Sequence, residues 1–220
     1  MKDLYLIENS TVLKNLLGIT DEKALDIAEA ELSRANMMLL YENGFSDFSS
    51  NGICFIHKEL FGDVYEWTGQ YRKINIKKRE DILAGQSVWY SDCTNIEQGL
   101  EKAWKEINNV DWTKLSKEDF AKKIAHLFPA IWQVHPFREG NGRTQRIFIL
   151  YLAGTAGYTV DFSDVTPEEM IVASAESFAC AYDKINAMFE RITTPIAKEE
   201  QIRHIQYFFG RNSPVLQWLL

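Results

Sequence analysis

His135-Pro136-Phe137-Arg138-Glu139-Gly140-Asn141-Gly142-Arg143-Thr144-Gln145-Arg146 stands apart from the rest of the chain. It separates two segments with strong apolar stripes at helical spacing, so it must be a loop that runs into a helix N-terminus. Gly140 and Gly142 permit positive φ and close backbone approach, and with Asn141 between them they can form a nest of backbone N–H groups. The helix that follows adds its own unpaired N–H groups and its dipole, a combination that favours an anion such as a phosphate. Arg143 and Arg146, three apart, share a helical face and aim two guanidinium groups at one region. Glu139 offers one hard oxygen ligand, enough for Mg²⁺ when phosphates and water complete the octahedron. His135 is a base that titrates near neutral pH.

A Gly-Asn-Gly before a helix is often only a turn and cap, and a histidine after a helix only a terminator. Two phosphate-seeking arginines, a carboxylate and a base within twelve residues exceed what such a loop needs. The residues therefore read as a nucleotide-phosphate site with one metal ligand and one general base. Other phosphate motifs are absent: there is no Gly-x-x-x-x-Gly-Lys-[Ser/Thr] loop, no Gly-x-Gly-x-x-Gly after a strand and no kinase signature set. His57 is followed by Lys58 and Glu59, so it heads no His-Glu-x-x-His zinc helix.

Outward from this loop the pattern is mainly helical. Upstream, Ser116-Lys117-Glu118-Asp119 is a serine cap with acidic first-turn residues, and Phe120, Ile124, Leu127, Phe128 and Ile131 carry the apolar face. Downstream, Arg143 to Ala156 is apolar enough to be a central buried helix. Further helices are expected from Thr20 or Asp21 through Leu39, over Ile53–Tyr65, over Thr94–Asn108, from Thr166-Pro167 to just short of Pro195, and in the tail from Lys198, whose end (Val215 to Leu220) is apolar. Alternation over Gln70–Lys78 predicts a strand, and Val88-Trp89-Tyr90 a second that pairs with it as a hairpin, the one β signal in the chain. Trp104, Trp112 and Trp132 read as core, and His57 and His126 as satisfied or solvated histidines rather than ligands.

The 220 residues suit one domain with some decoration, and 46% hydrophobic and 25% charged residues suit a globular core. A net charge of −7 argues against non-specific nucleic-acid binding. Cys54, Cys93 and Cys180, far apart and odd in number, fit neither a disulfide framework nor a zinc ribbon. Met1-Lys2-Asp3-Leu4-Tyr5 lacks the apolar stretch of a secretory signal, and no apolar run nears the ~20 residues of a bilayer span. A cytoplasmic protein without membrane attachment is expected, with export by a signal-less route left open.

The loop resembles the signature of the Fic family, H-x-F-x-[D/E]-G-N-G-R-x-x-R, at every defined position. Phe61 to Arg72 is similar to that family's pre-hairpin segment, and Leu13 to Ile19 to the N-terminal stretch of Fic toxins and effector domains, so the likeness runs from about residue 5 to 195. The resemblance implies a helical bundle with one β-hairpin flap over the active site. A single domain over 1–220 is expected, with a Fic core at about 50–194, a helical extension at 1–49 and a helical tail at 195–220.

It further implies transfer of AMP from ATP to a Ser, Thr or Tyr hydroxyl of a target protein, as in a toxin or effector. His135 would be the base and Glu139 the Mg²⁺ ligand. Gly140, Asn141 and Gly142 would form the anion hole, with the Asn141 amide at the α-phosphate. Arg143 would bind the β- and γ-phosphates, Arg146 the γ-phosphate, and Phe137 would anchor the loop. Gly142, where the phosphotransferase branch has lysine, favours AMP transfer. A non-catalytic nucleotide- or partner-binding module, or another nucleotidyl or phospho transfer on the same fold, is the alternative. Lys77 and Lys78 on the flap are candidate ATP contacts, and Tyr182 and Asn186, taken to share a face of one Ile171–Glu190 helix, are candidates for the adenine pocket. The target would lie along the flap edge by strand addition. The family's inhibitory pattern [S/T]-x-x-x-E-[G/N] is absent, Glu42 being the nearest miss, so restraint by a small antitoxin acting in trans on Arg146 is expected.

Overall fold

Capping side chains set where the helices begin. Asp21 Oδ1 accepts from the Ala24 N–H at 2.9 Å and opens α1 (Glu22–Asn43). Ser49 caps α2 (Ser50–Phe61), which ends at Gly62 rather than reaching Tyr65. The antiparallel pair β1 (Lys77–Arg79) and β2 (Ser87–Trp89) comes next, followed by α3 (Ile96–Asn108). Ser116 Oγ takes the Asp119 N–H at 3.1 Å at the head of α4 (Lys117–Val134), and α5 (Asn141–Ala156) follows the motif loop. β3 (Tyr158–Val160) and α6 (Pro167–Phe178) precede α7 (Asp183–Ile192), β4 (Thr193–Pro195) and α8 (Lys198–Phe209). The computed structural model describes residues 3–43, 48–79 and 87–209; Val215 to Leu220 lie outside them.

α5 is the axis. Phe148, Ile149, Tyr151, Leu152 and Ala153 are all buried, and α2, α4, α8 and β3 pack around it. α1 lies along α2, and α3, α6 and α7 lie along α4, so the loop between α4 and α5 is held by the two most enclosed helices. Trp104, Trp112 and Trp132 are buried.

Four expectations need correction. Over 70–78 only Lys77 and Lys78 join a ladder, with Lys77 opposite Trp89 and Lys78 opposite Val88. The alternation upstream is real, since Arg72 and Ile74 are buried, but it reports one enclosed face rather than a paired strand: the Arg72 N–H goes to the Pro136 carbonyl at 2.8 Å. A second sheet exists, β3 against β4 with Tyr158 opposite Pro195; strands this short carry no readable period. The expected single helix after Thr166 is two. Phe178 stacks on Trp132 and Tyr182 on His126, both on α4, and the chain turns between these stacks through Cys180 at φ +61°. Of the extension at 1–49, the described stretch before Glu22 is not helical. It folds back on itself through a Leu6–Leu13 bridge, and its Leu16 N–H bonds the Val64 carbonyl at 2.8 Å.

Candidate active site

α4 ends on His135, which turns the chain in the left-handed region (φ 47°, ψ 63°) with its N–H still bonded to the Ile131 carbonyl. The imidazole stacks on Tyr90, which leads out of β2, with ring centroids 3.7 Å apart. Its Nδ1 faces the Trp132 carbonyl at 3.3 Å. A carbonyl only accepts, so Nδ1 carries the hydrogen and the ring's basic lone pair is at Nε2.

Arg72 holds this turn from below. Its Nε donates to the His135 carbonyl at 2.8 Å, Nη1 to that of Ile74 at 2.7 Å, and Nη2 to those of Val134 (3.3 Å) and Ser91. A buried guanidinium thus closes the C-terminal end of α4, where the dipole favours a cation. Its pKa is lowered by burial.

The loop is then clamped twice. The Asn141 side chain accepts the Phe137 N–H and donates to the Phe137 carbonyl, both at 2.8 Å, closing a ring across the loop. The Phe137 ring is fully buried and stacks on His57 at 3.8 Å. His57 Nε2 lies 3.0 Å from the Glu139 carbonyl, and Nδ1 accepts the Gly69 N–H at 2.9 Å. These partners require the neutral Nε2–H tautomer. Burial first, and the Arg143 charge beside it, lower the His57 pKa from 6.5 to about 4, against a rise from the Glu139 hydrogen bond.

A folded pKa below the unfolded one means that protonation favours unfolding. The contribution of His57 is complete above pH 6.5 and is lost as pH falls toward 4, a loss of about 3 kcal/mol in all. Urea unfolding at pH 7.5 and pH 5 should show a steeper decline for wild type than for His57→Gln. Equal slopes would remove His57 from the acid response, since the carboxylates are common to both.

Glu139 Oε1 accepts the Gly140 N–H at 2.9 Å, which orients the carboxylate at the head of α5. Gly140 has φ +78°, and a Cβ there would sit 2.6 Å from Phe61 Cζ. At Gly142 a Cβ would meet only Arg146 Nη1, at an ordinary 3.5 Å. Gly140→Ala is therefore expected to cost about 2–4 kcal/mol, from strain plus overpacking, and Gly142→Ala under about 1 kcal/mol. Thermal unfolding of the two variants checks the contrast. The first helical amide to find an acceptor within α5 is that of Thr144, bonded to the Gly140 carbonyl at 3.0 Å, so the amides of Asn141, Gly142 and Arg143 form the anion-seeking end. Because the Asn141 side chain is committed to Phe137, its backbone amide is the group that can address a phosphate.

Two cavities meet the motif. One, of about 630 Å³, lies under the flap and is lined by His135, Glu139, Arg138, Tyr90, Lys77 and Asn75 among others. The other, of about 410 Å³, lies between α1 and α5 and exposes Arg143, Arg146, Ser33 and Arg34. Along the chain, Gly140 to Gly142 link the base and carboxylate of the first to the arginines of the second. Burial, with Arg143 as a like-charged neighbour, lowers the Arg146 pKa, the mark of a cation in want of an anion.

The Fic/DOC family model matches residues 47–153. A probable protein adenylyltransferase of Sinorhizobium fredii, y4lH, is 34% identical over 81% of this chain and 90% of its own length. The chain belongs to the Fic/DOC family. A protein adenylyltransferase of Bartonella henselae is 33% identical over 94% of this chain, and VbhT of Bartonella schoenbuchensis is 33% identical over 97%. The chain spans 41% and 43% of those two relatives. Among solved structures, the BepC effector of Bartonella tribocorum with bound AMPPNP superposes with a TM-score of 0.78 at 29% identity, covering 90% of this chain and 99% of that one. A Fic domain of Bartonella quintana with bound ADP gives 0.79 at 30%, covering 87% and 95%.

Within this Fic chain, the structure gathers His135, Phe137, Glu139, Gly140, Asn141, Gly142, Arg143 and Arg146 on one loop and helix start. Lys77 lines the flap cavity with His135 and Glu139, its Nζ 5.1 Å from the centre of the Trp89 ring. Lys78 is paired in β1, and Glu42 is in the last turn of α1; both side chains lie outside the described residues. Tyr182 and Asn186 line neither cavity. Tyr182 stacks on His126 and accepts the Asn186 N–H on its carbonyl, the start of a separate helix. Sequence reasoning missed Arg72, Tyr90 and the role of His57. Only the buried alternation around Arg72 gave any signal of them.

Proposed function

We propose that this chain transfers AMP from ATP to a hydroxyl of a target protein. The observation that carries the reading is the imidazole of His135, locked by Tyr90 and the Trp132 carbonyl with its lone pair at Nε2, beside Glu139 and at the foot of a helix whose next turns carry two arginines. Nε2 takes the proton of the incoming Ser, Thr or Tyr hydroxyl. The hydroxyl oxygen forms a bond to the α-phosphorus, and pyrophosphate leaves with the electrons of the broken P–O bond. The amides of Asn141 to Arg143 receive charge on the α-phosphate, and Arg143 and Arg146 receive the β- and γ-phosphates.

Glu139 is the residue that would hold Mg²⁺, and among the described residues no cluster of three His, Cys, Asp or Glu offers a rival site. A lone carboxylate suits an ion that keeps its waters and shares substrate phosphates. When bound, that ion supplies neutralisation of phosphate charge.

The flap edge is the surface for the target, with Trp89 64% exposed and Lys77 beside it to grip an extended segment added as a strand. Residues 50–194 serve as the catalytic core. A small antitoxin would place a glutamate on Arg146 through the cavity between α1 and α5, where that arginine is desolvated and faces repulsion. We place the action in a cytoplasm, that of the producing cell or of a recipient reached by a signal-less route. Among the described residues no helix is long and apolar enough to cross a membrane.

The test is incubation of the purified chain with Mg²⁺, bacterial or host lysate, and ATP labelled either on the α-phosphate or on the γ-phosphate. Protein-bound label from the first alone is expected. Label from the second alone would make the chain a phosphotransferase, and label from neither, with nucleotide still bound, a binding module.

A further inference from the structure

Arg143 is held by a helix that lies outside the family-matched stretch. Its Nη1 donates to Ser33 Oγ at 2.9 Å, and its Nη2 pairs with Glu29 Oε1. Ser33 and Glu29 are four apart on α1 and so share a face. The other Glu29 oxygen, Oε2, accepts the hydroxyl of Tyr65. Glu29 is only 7% exposed. Beneath the guanidinium lies the ring of Phe61, 4.6 Å from the Arg143 Cζ, and that same ring leaves no room for a side chain at Gly140. One face of the guanidinium and two of its nitrogens are therefore pinned before any ligand arrives, while its other N–H groups remain for a ligand in the cavity shared with Arg146.

We infer that Glu29 is a positioning residue for Arg143, fixing the guanidinium so that its remaining donors meet the terminal phosphates of a nucleoside triphosphate. The inference rests on the functional reading above. Sequence alone gave no sign of it, because Glu29 lies in an ordinary amphipathic helix 114 residues from its partner.

The contrary role, a carboxylate that competes with phosphate for Arg143, meets a physical objection. Glu29 does not line the cavity that exposes the arginines, and its second oxygen is held by Tyr65. A phosphate that displaced it would leave a buried carboxylate without its cation, which is a costly arrangement. Adding phosphate oxygens to the remaining donors keeps the pair intact. Burial, and then the Glu29 hydrogen bond, raise the Tyr65 pKa, so the phenol stays a donor across the working range.

The experiment is calorimetric binding of ATP and of AMP, each with Mg²⁺, to the full chain and to Glu29→Gln. AMP lacks the phosphates that Arg143 would meet, so a merely structural role for Glu29 would weaken both ligands alike. A positioning role predicts about tenfold weaker ATP binding, the scale of one charge-assisted hydrogen bond, with AMP unchanged within about twofold. Should Glu29→Gln not fold, Tyr65→Phe carries the same test, since it keeps the charge and the packing but frees the carboxylate to turn; a smaller loss confined to ATP is expected. Unchanged or tighter ATP binding overturns the proposal, and tighter binding makes Glu29 a competitor. Equal losses for ATP and AMP also overturn it. A wild type that binds neither nucleotide overturns the functional reading itself, whereas a wild type that binds ATP while both variants match it overturns only the role of Glu29.

Discussion

Replacing His135 with alanine is expected to slow AMP transfer by about 10²–10⁴-fold, the range for loss of a positioned general base. Nucleotide affinity should stay within about threefold of wild type, because the groups aimed at the outer phosphates, Arg143 and Arg146, face a different cavity from His135. The variant loses the Tyr90 stack and the contact to the Trp132 carbonyl, but not the turn. The His135 N–H still reaches the Ile131 carbonyl, and the His135 carbonyl still accepts from Arg72. At φ 47°, alanine is less at ease than histidine, which adds about 1–2 kcal/mol of strain, so the chain should fold. His135→Asn is the gentler companion, since asparagine tolerates that region and has no base. Single-turnover transfer of α-phosphate label, with calorimetry for ATP, reads the two effects apart. A loss under about tenfold in rate would move the base to another group, and a matching loss in affinity would make His135 a binding residue.

What the sequence made legible was local. Caps at Ser116 and Thr166 and the apolar run of Ile147 to Leu152 announce helices because the controlling contacts lie within one turn or repeat at helical spacing. The motif was legible for the same reason: base, carboxylate, glycines and arginines all lie within one loop and the first turns of a helix. Long-range partners were not. His57 bonds a carbonyl 82 residues away, Arg72 one 63 residues away and Arg143 a carboxylate 114 residues away. Nothing periodic marks such pairs, since each is made by folding rather than by neighbours in the chain. The break between α6 and α7 escaped notice on similar grounds: Cys180 carries no turn signal, and the turn is dictated by where Phe178 and Tyr182 find rings on α4. Tyr182 and Asn186 still stand one turn apart at the head of α7, where the Asn186 N–H meets the Tyr182 carbonyl, but the break before them sets that turn against His126 rather than against either cavity at the motif.

Arg72→Met is expected to be the most destabilising single change in the chain outside the apolar core. Methionine fills much the same space and spares the cost of burying a charge, so packing alone predicts a mild effect. The hydrogen bonds decide otherwise. Four carbonyls, those of Ile74, Ser91, Val134 and His135, converge on the guanidinium of Arg72, a residue that is 2% exposed. Two of them belong to the end of α4, where no amide of a further turn can take them. Orphaning several buried acceptors at once should cost about 3–5 kcal/mol and lower the unfolding midpoint by about 10 °C. Arg72→Lys should recover less than half of this, because an ammonium is a single point and cannot span acceptors on the flap approach and on α4 together. The same guanidinium joins the flap side to the turn that bears His135, so both variants should lose AMP transfer beyond what their folded fraction explains. Thermal melts beside transfer assays at a temperature where each variant is folded supply the check. A midpoint within about 2 °C of wild type for Arg72→Met would mean that water, not Arg72, satisfies those carbonyls, and the clamp on the active-site turn would have to be sought in Asn141 and His57 alone.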